Sequence, residues 1–148
     1  MPAPNSKNIL IGDDDQDLIN LYETILKYYG YEVDAFTDPI DALYSFKKAV
    51  YDLALLDLKM PKMNGVEISQ ELQHIDPTLL YRFITAANKE YIKNLKTNNP
   101  EIEKNIIYKP FWLNELRTEV HSLLFRDKQQ KEDKDNKLLM IIKPINKM

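Results

Sequence analysis

The sequence predicts an α/β fold, a doubly wound parallel sheet of five strands with helices on both faces. Three observations carry this. Short apolar runs at residues 9–11 and 53–56 are continuous rather than alternating, the pattern of strands covered on both faces. Between such runs apolar residues recur at helical spacing. The two patterns alternate five times along the chain, which calls for right-handed crossovers in one parallel sheet.

Residues 8–12 form the first strand and run into Asp13-Asp14-Asp15-Gln16-Asp17. A helix follows on Leu18, Leu21, Tyr22, Ile25, Leu26 and Tyr29, stopped by Gly30. Residues 31–36 are the second strand. Asp38 then caps a helix with Pro39 in its first turn, and its stripe is Ala42, Leu43, Phe46 and Ala49 or Val50. The third strand, from Leu53, delivers Asp57 to its end and stops before Pro61, which has no N–H for a ladder. Asn64 and Glu67 have the spacing of a capping box, opening a helix striped by Ile68, Leu72 and Ile75 and closed by Asp76-Pro77. Residues 81–85 make the fourth strand, ending in the hydroxyl of Thr85 and followed by the small Ala86 and Ala87. Residues 88–97 are a helix carrying Tyr91, Ile92 and Leu95, broken by Asn98-Asn99-Pro100. Residues 105–108 are the fifth strand, ending in Lys109-Pro110, and Leu113, Leu116, Val120, Leu123 and Leu124 mark the last helix.

The 148 residues predict one domain able to bury roughly two-thirds of the surface its unfolded chain exposes. With no cysteine, disulfides, thiolate metal sites and cysteine catalysis are excluded. Residues 1–125 carry 13 basic and 19 acidic side chains, a balance of −6, so direct DNA binding is not expected of them. Residues 126–148 carry 7 and 4, a balance of +3. The expected division is therefore a domain at 1–125 and a charged C-terminal tail, or an extension of the last helix, at 126–148. The apolar run 138–142 either frays with that tail or docks on the body, a second copy or a partner. No apolar run is long enough for a membrane span and no signal region opens the chain, so a cytoplasmic location is expected.

In a sheet of order 2-1-3-4-5, the first and third strands are neighbours where the winding reverses, the place where such sheets bind ligands. Asp13 and Asp14, Asp57, Thr85 and Lys109 all fall at that end. Clustered carboxylates raise one another's pKa or require a cation, and an all-oxygen set suits Mg²⁺.

These residues resemble the receiver domain of two-component response regulators, across roughly residues 7–125. The motifs are Asp13-Asp14, Asp57 with Met60-Pro61 and Gly65, Thr85-Ala86, and Lys109-Pro110-Phe111. Each is weak alone, and five in order make a specific signal. The resemblance implies a flavodoxin-like fold. It implies that Asp57 accepts a phosphoryl group from a phosphohistidine on a histidine kinase or phosphotransfer protein, in a stand-alone protein that is not a turnover enzyme. It further implies Mg²⁺ held by Asp14, Asp57 and the backbone carbonyl of Lys59, with Asp13 acting mostly through water. Lys109 and Thr85 would bind phosphoryl oxygens, and Lys109-Pro110 would be a cis peptide. Output would pass by surface recognition or a relay to an unknown protein, with dimers possible through the face of helix four, strand five and helix five.

Two positions depart from the family pattern. Ile106 stands where a switching Tyr or Phe is usual, with Tyr108 on the same side of the strand as a substitute. Trp112 replaces a capping residue, and serves either as packing or as an anchor for a partner. Lys59 and Ala87 occupy places that tune dephosphorylation in the family. The other class of function open to this chain is a phosphorylation-independent receiver-fold adaptor. A calcium loop on Asp13, Asp15 and Asp17 fails because Leu18 and Thr24 stand where Gly and Glu are needed. A haloacid-dehalogenase-like phosphatase fails because Lys59 stands where a second acid is required. His74 and His121 lack metal-ligand spacing.

Overall fold

The computed structural model describes residues 6–109 and 113–125. The expectations for Pro110, Phe111, Trp112 and the tail at 126–148 lie outside these residues. Five strands, β1 (Asn8–Gly12), β2 (Glu32–Phe36), β3 (Leu53–Leu56), β4 (Leu80–Thr85) and β5 (Ile106–Tyr108), form one parallel sheet of order β2-β1-β3-β4-β5. The helices are α1 (Gln16–Tyr28), α2 (Pro39–Ser45), α3 (Gly65–Ile75), α4 (Lys89–Asn98) and α5 (Leu113–Leu124). The fold is the expected one, flavodoxin-like and doubly wound.

Both faces of the sheet are buried, which is why its strands are continuously apolar. Ile9, Ile11, Leu53, Leu55 and Ile84 face α1 and α5, joined there by Ile19, Tyr22, Leu26, Leu116 and Val120. The alternate residues Leu10, Ala54, Leu56 and Phe83 face the other way, against Phe46, Val66, Ile68, Leu72 and Ile92. Each fully buried aliphatic here contributes about 1.5–3 kcal/mol relative to exposure.

The caps follow their residues. Asp15 accepts from the backbone N–H of Asp17 and Leu18 and starts α1 two residues before the expected Leu18. Asp38 caps α2 with Pro39 in its first turn, and the Asn64–Glu67 capping box of α3 is complete in both directions. Gly30 adopts φ +94 after α1, a conformation that favours glycine.

The helix stripes need correction. In α1, Leu21 and Tyr29 are exposed, while Ile19, absent from the expected stripe, is buried with Tyr22 and Leu26. The helix is rotated so that Ile19 meets the sheet, and the amphipathic stripe of the sequence is wider than the contact it makes. In α3, Ile75 is exposed and Val66 buried. Helix α2 does not reach Ala49 or Val50. It ends at Ser45, Phe46 turns extended (φ −68, ψ 133) to stack on Tyr51 with ring centroids 5.6 Å apart, and Ala49 sits at φ 65. A 3₁₀ turn at Ile102–Asn105, unforeseen in the sequence, buries Ile102 ahead of β5.

Candidate functional site

Register builds the site. Gly12 and Leu56 are partners across β1 and β3, so Asp13 and Asp57, the next residues, leave the sheet side by side. The Asp57 N–H donates to the Gly12 carbonyl at 2.8 Å and the Asp13 N–H to the Phe36 carbonyl at 3.1 Å, so both backbones are held before their side chains act. Thr85 and Tyr108 are partners across β4 and β5, and the Lys109 N–H donates to the Thr85 carbonyl at 2.8 Å. Four strand ends thus converge on one rim. The loop after Asp57 folds back tightly: the Gly65 N–H donates to the Leu58 carbonyl at 2.9 Å, and a Cβ on Gly65 would collide with the Asp57 carbonyl. Glycine is required there so that α3 can start beside the acid.

The Lys109 ammonium lies 2.9 Å from Asp13 Oδ2 and 3.7 Å from Asp57 Oδ2. Asp13 is buried and its other oxygen accepts from the Asp15 N–H at 2.9 Å. Asp57 is nearly buried, and beyond Lys109 its nearest donor is the Lys59 N–H at 3.4 Å. Burial pushes the Asp57 carboxyl above the usual range; the Lys109 ammonium pulls it down and the charge of Asp13 pushes it up again. One lysine thus serves two acids. Asp14 is exposed, and Asp13, Asp14 and Asp57 each offer an oxygen within 4.8 Å of the others. Such a set of hard oxygen donors, carrying more negative charge than its lysine offsets, fits a divalent cation of the Mg²⁺ kind.

The Thr85 side chain is fully buried and its oxygen accepts from the Ala87 N–H at 3.0 Å, which holds it at the rim. Ile106 is half-buried and packs into the core on the α3 and α4 side, whereas Tyr108 is half exposed. The sequence did not reveal a neighbour of Lys59: its ammonium lies over the Tyr91 ring, 5.7 Å from the centroid. Tyr91 reads in the sequence only as an apolar member of α4. A contact spanning that separation leaves no local signal. Of the three acids considered for a calcium loop, two are spent otherwise: Asp15 caps α1 and Asp17 lies in its first turn.

A parallel sheet of this order with an acid cluster and a lysine at its carboxyl rim defines a receiver-type phosphoacceptor domain. The chain belongs to the response regulator receiver domain family of two-component signal transduction, whose sequence model matches residues 9–121. It is 31% identical over 118 residues to the response regulator receiver protein CpdR of Brucella abortus, covering 80% of this chain and 97% of that protein. It is 30% identical to the response regulator SaeR of Staphylococcus aureus, but spans only 52% of that protein's length. Among solved structures, a CheY-like receiver domain from Methanospirillum hungatei matches with a TM-score of 0.70 at 27% identity, covering 85% of this chain and 98% of that one. TrrA of Thermotoga maritima matches with a TM-score of 0.65 at 29% identity, covering 80% and 99%. Proteins of this family are phosphoacceptors and generally not turnover enzymes. No helix among the described residues is long and apolar enough to cross a membrane.

Proposed function

We propose that this chain is a single-domain response regulator, its receiver domain at residues 1–125, that accepts a phosphoryl group on Asp57 from a histidine kinase or phosphotransfer protein. The observation that carries this reading is the convergence of Asp13, Asp14, Asp57 and Lys109 on one rim, with Asp57 the least compensated of the buried acids. Asp14, Asp57 and the Lys59 carbonyl would hold Mg²⁺, with Asp13 behind them. The bound ion would supply positive charge against the phosphoryl oxygens. TrrA supports the assignment, since its structure is a complex with Mg²⁺ and beryllium fluoride.

An Asp57 oxygen forms the new P–O bond as the P–N bond of the donor phosphohistidine breaks, its electron pair returning to the imidazole. Little proton transfer is required of this chain, so its work is positioning and charge neutralisation. Lys109, shared between Asp13 and Asp57, would turn from them towards a phosphoryl oxygen. The Thr85 hydroxyl and the Ala86 amide would take another. The small side chain of Ala86 leaves that approach open. Phosphorylation adds charge and acceptor oxygens, and drawing Thr85 towards them would bias the loop after β4. Lys59, whose ammonium lies over the Tyr91 ring, would cover the phosphoryl group against water if it turned from that ring. Output then proceeds by surface recognition or by passing the phosphoryl group onward, from a cytoplasmic location.

Incubation of the protein with Mg²⁺ and acetyl phosphate, followed by intact mass, tests the assignment. One phosphoryl adduct on the wild type and none on Asp57→Asn is the expected result. An adduct undiminished by Asp57→Asn would count against Asp57 as the acceptor, and none on the wild type would leave the fold as a phosphorylation-independent adaptor.

A further inference from the structure

At the amino end of the sheet, opposite Asp57, lies a cavity of about 330 Å³. Its walls come from the approach to β1 (Ser6, Lys7), the turn between α1 and β2 (Tyr29, Gly30, Tyr31), and α5 with the residue after it (Arg117, His121, Phe125). Residues 1–125 carry a net −6, yet among the described residues this wall holds two cations and an imidazole and not one carboxylate.

The cations are placed but not neutralised. The Arg117 guanidinium stacks 4.3 Å from the centroid of the Tyr29 ring, and the Lys7 ammonium lies 5.9 Å from that of Phe125, whose other neighbour is the His121 ring at 4.7 Å. Among the described residues no carboxylate reaches ion-pair distance of Lys7, Arg117 or His121. Glu32, which follows Tyr31 and donates its N–H to the Lys7 carbonyl at 2.9 Å, makes no ion pair with these cations among the described residues, and in the adjoining cavity that Lys7 also lines Asp52 accepts from the Asn8 N–H at 2.8 Å and Asp76 from the Ala49 N–H and from Thr78. Aromatic contact fixes the position of a cation without cancelling its charge, so both remain available to an anion.

Tyr31 supplies a third donor. Its ring is buried, with 8% of the residue exposed, and its hydroxyl reaches solvent, since no buried side-chain polar atom among the described residues lacks a partner. Here the open side is the cavity. Three donors from three separate segments, two of them charged, suit an acceptor with several oxygens and more than one negative charge, and the volume leaves room for a small group beyond it.

We propose that this cavity binds a small phosphate monoester, its oxygens taken by Arg117, Lys7 and the Tyr31 hydroxyl. The site is independent of Asp57 and does not rest on the phosphoacceptor reading. Binding ties the start of β1, the α1–β2 turn and the end of α5 together, so it stabilises the folded chain by mass action.

The test is heteronuclear NMR on the full chain, free of Mg²⁺ at fixed ionic strength, with phenyl phosphate, inorganic phosphate and benzoate as probes. Phenyl phosphate is expected to give saturable shifts confined to residues 6–7, 29–31 and 117–125, with weaker binding of inorganic phosphate and weaker still of benzoate. Arg117→Ala and Lys7→Met each lower the affinity about tenfold or more, as loss of a charged hydrogen bond does. Tyr31→Phe, which keeps the buried ring, lowers it by a smaller factor. Non-saturating shifts, shifts reproduced by sodium chloride, or affinity unchanged in Arg117→Ala would identify ordinary solvated cations and overturn the site. Benzoate binding as tightly as phenyl phosphate would overturn the phosphate specificity.

Discussion

Asp57 and Asp76 are both nearly buried aspartates, one at each end of the same sheet, and their surroundings are opposite in kind. Asp76 accepts from the Thr78 hydroxyl at 2.7 Å, the Thr78 N–H at 3.1 Å and the Ala49 N–H at 3.0 Å, and these bonds hold its carboxyl below the usual range, with the Thr78 hydroxyl the largest cause. Asp57 has a lysine it must share and one long backbone contact, and burial leaves its carboxyl above that range. A satisfied carboxylate stabilises the loop around it and has nothing left to offer. An unsatisfied one costs stability and is available to a cation and a phosphorus atom. On the proposed reading, this contrast separates a structural acid from the phosphoacceptor.

The largest effect that can break the contrast is chemical. Asp57→Asn is expected to abolish the acetyl phosphate adduct, whereas Asp76→Ala leaves it in place on whatever fraction is folded. Loss of the adduct from folded Asp76→Ala, its fold checked by circular dichroism, would mean that the two ends are not divided in this way.

The next effects concern stability and have opposite signs. Asp76→Ala lowers the thermal midpoint of the metal-free protein, because the Ala49 N–H and the Thr78 donors lose their acceptor. Asp57→Asn raises it, by a few degrees, which is what about 1 kcal/mol yields in a domain of this size. Their pH dependence also differs. A folded pKa below the unfolded value of 3.8 means that the Asp76 contribution is present above that value and is lost as pH falls through the folded pKa. For Asp57 the folded pKa lies above 3.8, so its favourable contribution is complete below 3.8 and lost as pH rises through the folded pKa. The gain from Asp57→Asn is therefore greatest at pH 7 and shrinks on acidification, while the loss from Asp76→Ala persists down to about pH 4. Denaturant unfolding of the two variants across this range measures both, and parallel curves would contradict the assignment.

The sequence is legible at the site end for the same reason that the site works. Asp13, Asp57, Thr85 and Lys109 each sit at a strand end, and strand ends are marked by local chemistry: apolar runs before them, Pro61, Gly65 and the Asn64–Glu67 box after them. Parallel pairing then brings them together without further instruction. At the other end the decisive contacts span greater distances. Nothing between Ser45 and Tyr51 announces that α2 stops early, because the stop depends on Asp76 reaching Ala49 and on Tyr51 receiving Phe46. The cavity around Arg117 and Tyr31 is hidden in the same way, and at the site end itself so is the Lys59–Tyr91 contact, each joining segments far apart in the sequence. The burial of Ile19 in place of Leu21 was illegible because both are apolar and two positions apart, so only the packed sheet chooses between them.

The smallest effect sharpens the contrast most finely. Ala49 holds φ 65, a left-handed conformation that disfavours any residue with a Cβ, and in that conformation its N–H meets Asp76. Asp76 thus keeps a neighbour in a strained backbone. Ala49→Gly relieves the strain but gives the unfolded chain more freedom, and the net expectation is a gain of about 0.5–1 kcal/mol. If Asp76 holds the strain in place, the gain depends on Asp76. In the Asp76→Ala background the loop is free to relax, and the same glycine should contribute little or nothing, a coupling that a double-mutant cycle reads directly. An equal gain in both backgrounds would show that the left-handed turn is fixed by the chain on either side of it, and that Asp76 merely fills a donor already in position.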